Sequence, residues 1–225
     1  MTKTLPATLP RRGFLLSSLA LGAAGTLPGC AAIGALGDAA APLDTYDLRV
    51  DPGLVARAAR PLARSVIIEE PEVAGALDTD RIMIRPSPRA AQYLPGIRWA
   101  EAPGPLWQGL IVRALEDSAG VRFAGRRPVG PGGDFALIGV LSDFQAELGG
   151  PDGEGEGVTV HIRYSARLVR ESDAAIIAAR VFETRTPAPA TDALPLVEAF
   201  NTAAEALIPA VSRWVLTTLG ARLTA

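Results

Sequence analysis

The 225-residue sequence predicts an α/β fold: a single domain over residues 44–220, with a mixed β-sheet flanked by helices, behind an export leader (1–29) and a flexible tether (30–43). Three observations predict it. Alternation of apolar and polar residues with period two recurs in several segments and is clearest from Val158 to Val169, as half-buried strands require. Two other segments repeat apolar residues at helical spacing, one after Pro105 and one after Asp192. The order is strands, helix, several consecutive strands, helix. Strands joined by short turns must pair antiparallel, whereas the crossover through the first helix permits a parallel pair.

The leader has the three parts of a secretory signal. Arg11 and Arg12 form the basic start, Phe14 to Leu27 the apolar stretch, and Leu27-Pro28-Gly29-Cys30 the end. An apolar run of about 14 residues falls short of the roughly 20 that a spanning helix needs. Export is therefore expected rather than a retained span. Leu27, Gly29 and Cys30 resemble the lipobox of bacterial lipoprotein signals, from which Pro28 departs. That resemblance implies cleavage between Gly29 and Cys30 and acylation of Cys30, the only cysteine in the chain. One acyl chain anchors marginally and two or more anchor durably, at ~0.8 kcal/mol per buried CH₂. Pro10-Arg11-Arg12-Gly13-Phe14-Leu15 also resembles the twin-arginine export signal; ordinary leaders carry paired arginines too, so both routes stay open.

Ala31 to Pro42 is rich in Ala and Gly and reads as the tether. Tyr46 to Val50 alternates like a strand, and Val66-Ile67-Ile68 and Arg81 to Arg85 are two further short strands before Pro71 and Pro86. Pro86 to Pro105 holds five prolines together with Tyr93, Leu94, Ile97 and Trp99, and is expected to be a long irregular loop. Leu106, Leu110 and Ala114, with Trp107, Ile111 and Leu115, form two adjacent rows of an amphipathic helix closed by Gly120. A strand at Val121 to Ala124 follows, then a long extended segment from Phe135 to Leu148. Gly149 to Gly157 is a hairpin loop; its acidic residues lack the oxygen spacing of a calcium loop. In the strand that follows, Val158, Val160, Ile162, Tyr164, Ala166 and Leu168 fall on one face, and Thr159, His161, Arg163, Ser165 and Arg167 on the other. Ile176 to Thr186 is the last strand. Asp192 is placed to cap a long helix through Val197, Phe200, Ala204, Leu207, Ile208, Val211 and Val215, with Pro209 inside it expected to bend it.

Loss of Lys3, Arg11 and Arg12 with the leader takes 22 basic residues to 19, against 24 acidic, a net charge of about −5. Such a balance argues against a nucleic-acid partner. Catalysis by a nucleophile or a metal needs several reactive groups converging on one place. His161 is the only histidine and is expected at the surface, and Glu69 and Glu70 point to opposite faces of a strand. No P-loop, dinucleotide fingerprint, paired-cysteine motif or Ser/His/Asp set can be assembled. The chain is therefore expected to be no enzyme and to bind no cofactor or metal, although two distant carboxylates working on a glycoside stay open.

Several segments read in order and spacing resemble the ABC-type transport auxiliary lipoprotein family, of the paraquat-inducible lipoprotein C type. They are the lipobox, Tyr46-x-Leu48, Val66-Ile67-Ile68-x-x-Pro71-x-Val73-Ala74-Gly75-x-Leu77-Asp78, Arg81-Ile82-x-Ile84-Arg85, and Tyr93-Leu94-x-x-Ile97-Arg98-Trp99-Ala100-Glu101. The resemblance extends to the closing helix that begins Val197-Glu198-Ala199-Phe200. It implies an α/β body, assembly into homo-oligomeric rings, and an outer-membrane lipoprotein facing the periplasm. Its implied partners are an MCE-type substrate-binding protein and an ABC permease and ATPase that move phospholipid or other hydrophobic molecules. Ala31 after the cysteine, where Asp would favour the inner membrane, points to the outer membrane; the periplasmic face of the inner membrane is the alternative. On this reading Tyr93, Leu94, Arg98 and Trp99 are the candidate partner interface. Two rival readings are an assembly or structural lipoprotein related to lipopolysaccharide insertion, and a periplasmic hydrolase.

Overall fold

The computed structural model describes residues 42–127, 133–149 and 157–224, all within one compact unit that begins at Pro42. The leader, Cys30 and most of the tether lie outside the described residues. Among the described residues nine strands form one mixed sheet, the pairing that the connection lengths predict. They are β1 (Asp44–Tyr46), β2 (Leu62–Ile68), β3 (Glu72–Val73), β4 (Arg81–Ser87), β5 (Ala90–Trp99), β6 (Val121–Gly125), β7 (Phe135–Leu148), β8 (Val158–Arg170) and β9 (Ala175–Ala188). Helix α1 (Pro103–Asp117) precedes β6, and α2 (Ala193–Thr218) closes the chain.

The 14-residue β7 organises the sheet. One of its edges carries β2, β3 and β4 in succession, all parallel to it, at Phe135–Leu137, Val140–Leu141 and Ala146–Glu147. Its other edge pairs antiparallel with β8 along nearly its whole length, and β9 continues antiparallel beyond β8. On the far side, β6 lies parallel to β2 through the α1 crossover, and β5 and then β1 extend the sheet beyond β4. Both antiparallel hairpins and a helix-linked parallel pair are present, as the connection lengths require.

Two segments differ from the sequence expectation. The strand expected at Tyr46 to Val50 is Asp44–Tyr46 instead. Beyond it, side chains take the backbone donors that a neighbouring strand would need: Leu48 N–H donates to Asp47 Oδ1 and Arg49 N–H to Asn201 Oδ1 (2.9 and 2.8 Å). The proline-rich segment is not an irregular loop, because β5 occupies Ala90–Trp99. Proline is tolerated where a strand edge needs no donor. Pro95 meets that condition, since β1 pairs only with Ile97, Arg98 and Trp99, and Gly96 next to it takes a left-handed φ of 75°.

The helices cover one face of the sheet. Helix α1 buries both predicted rows, Leu106, Leu110 and Ala114 with Trp107, Ile111 and Leu115, and starts on Pro103, where the first-turn N–H has no helical partner to lose. Helix α2 runs on through Pro209; Asp192 stands at its N-cap position, but its side chain makes no capping hydrogen bond. At 26 residues α2 is long and apolar enough to cross a membrane, yet Phe200, Ala204, Ile208, Val211 and Val215 are buried in this domain, as in a core helix. Trp99, Trp107, Phe144, Tyr164 and Phe200 meet in edge-on or tilted contacts with centroids 5.1–6.3 Å apart. Each such pair adds ~0.5–1.5 kcal/mol beyond the area it buries.

Candidate functional site

Two surfaces carry the sequence-predicted residues and the chemistry among the described residues. The first is the outer part of β5. Tyr93 is 42 % exposed, and its hydroxyl donates to the Ala76 carbonyl at 2.9 Å. Leu94 beside it is half-buried, and its carbonyl accepts from Arg81 Nη2 at 3.1 Å. Arg98 is exposed and reaches Asp80 Oδ2 and Thr45 Oγ1, both at 3.2 Å. Trp99 is only 1 % exposed and packs on Phe144 and Phe200, so it belongs to the core. Three of the four predicted interface residues thus share an accessible strip, and the fourth supports it from beneath.

The second surface is the face of β7, β8 and β9 turned away from the helices. Cross-strand register builds a three-by-three array there. Asp143, Arg163 and Glu183 form one row, Gln145, His161 and Arg185 the next, and Glu147, Thr159 and Pro187 the third. A bulge at Ser142 sets this register. His161 stands at the centre and is 6 % exposed, so the surface position expected for it is corrected. Alternation assigned its face correctly; the cover comes from long side chains on strands distant in sequence.

His161 Nδ1 lies 3.0 Å from Glu147 Oε1 and 3.7 Å from Asp143 Oδ1, and Nε2 lies 2.9 Å from Glu183 Oε1. Arg185 reaches Glu147 Oε2 at 2.5 Å and places Nη2 3.2 Å from His161 Nδ1. Gln145 Nε2 donates to Asp143 Oδ1 and Glu147 Oε1 at 3.0 and 3.1 Å, and Arg163 pairs with Glu183. Burial pushes the Glu147 carboxyl up, but the donors Arg185, Gln145 and His161 outweigh it and hold it below its ordinary value. The His161 hydrogen bond, together with the Arg163 charge, holds Glu183 down in the same way.

Asp143, Glu147 and His161 offer one ligand atom each within 4.8 Å of one another, a spacing that a metal ion can span. The Arg185 guanidinium already stands against both His161 and Glu147 there, so the array supplies its own cation. A cavity of about 550 Å³ lies between residues 49–55, α1 and α2. Arg49 and Arg113 at its rim are offset by Asp51, Asp117 and Glu205, which leaves no single sign of charge for a ligand to answer.

Comparison with known proteins agrees with this architecture. The family model described as the ABC-type transport auxiliary lipoprotein component matches residues 46–212. Among solved structures, the chain is similar to protein XCC0632 from Xanthomonas campestris. The identity is 25 %, over 79 % of this chain and 96 % of that one, with a TM-score of 0.68. It also shares the fold of a solved uncharacterized protein at 15 % identity, over 77 % of this chain and 98 % of that one, with a TM-score of 0.59. No curated protein matches the chain.

Proposed function

We propose a docking role for this chain, which belongs to the ABC-type transport auxiliary lipoprotein family. Membership associates it with an ABC transport system and with a membrane-anchored position in the cell envelope. The finer reading is a non-catalytic component, acylated on Cys30 after cleavage behind Gly29, facing the periplasm from the outer membrane. It would receive an MCE-type substrate-binding protein whose permease and ATPase move phospholipid or another hydrophobic molecule. The family match over residues 46–212 carries this reading.

Physical chemistry supports it from two sides. An acyl anchor followed by a short tether confines the domain to the bilayer surface and raises its effective concentration for a partner that reaches across the gap. Docking then needs surface rather than reactive groups, and the strip of Tyr93, Leu94 and Arg98 beside the short edge strand β1 offers an aromatic and a guanidinium, the residue types interfaces enrich.

The test is affinity capture of the native, full-length protein from membranes with identification of what accompanies it. Wild type is expected to bring an MCE-type protein, and Tyr93→Ala with Arg98→Glu to lose it while keeping a wild-type melting curve. Normal capture by the double variant removes that strip as the interface. Metabolic fatty-acid labelling that marks Cys30→Ser as well as wild type removes the anchor. Ring assembly, which the resemblance brings with it, is read from the mass of the same preparation.

A further inference from the structure

The segment that departs from the strand expectation after β1 is one wall of the cavity of about 550 Å³ against α1 and α2. Departures from a local pattern gather where the chain builds a site. Side chains hold this wall in place. Asn201 of α2 accepts from Arg49 N–H at 2.8 Å and donates its own amide to Glu205 Oε1 at 3.2 Å. Asp51 Oδ1 fixes the turn that follows by accepting from Gly53 N–H at 2.8 Å. The floor is apolar, with Val55, Leu110 and Ala114 buried in it. Its volume falls within the ~300–1,000 Å³ of small-molecule sites.

Two guanidiniums, Arg49 and Arg113, and three carboxylates, Asp51, Asp117 and Glu205, line this floor without neutralising one another. Among the described residues none of the five has a partner of opposite charge within 4.0 Å. On the outer face of the sheet, by contrast, Arg163 and Arg185 each stand against a carboxylate. The charges at the cavity are thus of both signs, close to one apolar floor, and left for something else to answer.

From this juxtaposition we propose that the cavity binds a small zwitterion, with an anionic oxygen group against Arg49 and Arg113, an ammonium against Asp117 and Glu205, and its carbon body on Val55 and Leu110. A ligand of one sign gains one set of partners and is repelled by the other, whereas a zwitterion engages both. Guanidiniums grip phosphate and carboxylate oxygens through paired N–H bonds, and an ammonium offers three donors to the carboxylates. The apolar floor keeps water from one side and strengthens both contacts. Phosphoethanolamine carries this chemistry, either free in solution or as the headgroup of a lipid. The site stands apart from the docking role, and its test needs no partner protein.

Titration calorimetry of the full chain in an uncharged detergent reads this directly. O-phosphoethanolamine is expected to bind about tenfold or more tighter than either inorganic phosphate or ethanolamine alone, the worth of a second set of charge-assisted bonds. Arg113→Gln should weaken the zwitterion about fivefold or more and inorganic phosphate with it. Asp117→Asn should weaken the zwitterion by a similar factor and leave phosphate no weaker, a split by sign that a merely structural role would not produce. Should Arg113→Gln fail to fold, Arg49→Gln makes the same test from the other wall. Dihexanoyl phosphatidylethanolamine separates the sources: tighter binding than the free headgroup assigns the site to a lipid, and equal or weaker binding to a soluble zwitterion. No binding of either form overturns the proposal. So does a zwitterion no tighter than its single-charge fragments, or binding that both variants retain in full.

Discussion

Strand β8 has two faces that obey different physics. Toward the helices, Val160, Ile162, Tyr164, Ala166 and Leu168 are buried against α1, α2 and the aromatic group around Phe144. Away from them, Thr159, His161 and Arg163 sit in a charged array whose members come from three strands. Apolar burial is non-directional and roughly proportional to area, so the first face tolerates small shifts and fails mainly when volume is lost or added. The second face depends on atoms about 3 Å apart, and a slip of one residue in register would turn every member inward. The fold therefore rests on the apolar face, and the pH response of the domain rests on the polar one.

The largest effect that breaks this division belongs to the apolar face. Phe144→Ala removes the ring that touches Trp99, Trp107 and Phe200 and is expected to cost about 3–5 kcal/mol, read from the urea midpoint. A loss below about 1 kcal/mol would mean that the aromatic group repacks freely and that the core is less specific than its contacts indicate. Overfilling comes next. A Cβ added at Gly139 would lie 2.4 Å from the Tyr164 ring, with backbone on either side fixed by pairing to β8. Gly139→Ala is expected to cost about 1–3 kcal/mol, and a neutral result would show that the ring has room to move.

How much could be read from the sequence follows the same line. Alternation found β8 and its buried face, helical spacing found both rows of α1, and connection length found the mixed pairing, because each is a local pattern imposed by burial. Leu48 and Arg49, whose N–H groups donate to side chains instead of a strand, defeat a pattern that assumes the backbone donors go to the sheet. The five prolines between Pro86 and Pro105 argued for a loop, and what admits β5 there is the open edge beside Pro95, a fact of topology rather than composition. Arg98 and Tyr93 were legible as surface residues, but Trp99 alternates onto the core side. His161 shows the limit most clearly. Its partners Glu147 and Glu183 lie 14 and 22 residues away, and only the register of two hairpins with a bulge at Ser142 brings them together. No spacing rule within one strand signals that; two acids at matching positions on predicted neighbouring strands would have been the available hint.

The smallest effect sharpens the polar side through its carboxylates. Glu147 is held below its ordinary value of 4.5, so it binds its proton less readily in the folded chain than in the unfolded one. Its stabilising contribution is therefore complete above that ordinary value and is lost as the pH falls through the lowered folded value. Glu183 acts in the same direction. Wild-type stability should then decline on acidification below about pH 4.5. Glu147→Gln is expected to flatten part of that decline while changing stability near neutrality by about 1 kcal/mol or less, since Arg185 and Glu147 are both partly open to water. Melting temperatures of the two proteins across the acid range decide it. If Glu147→Gln shows the full wild-type decline, Arg185 is not holding that carboxylate ionised, and the charge balance assigned to the array fails with it.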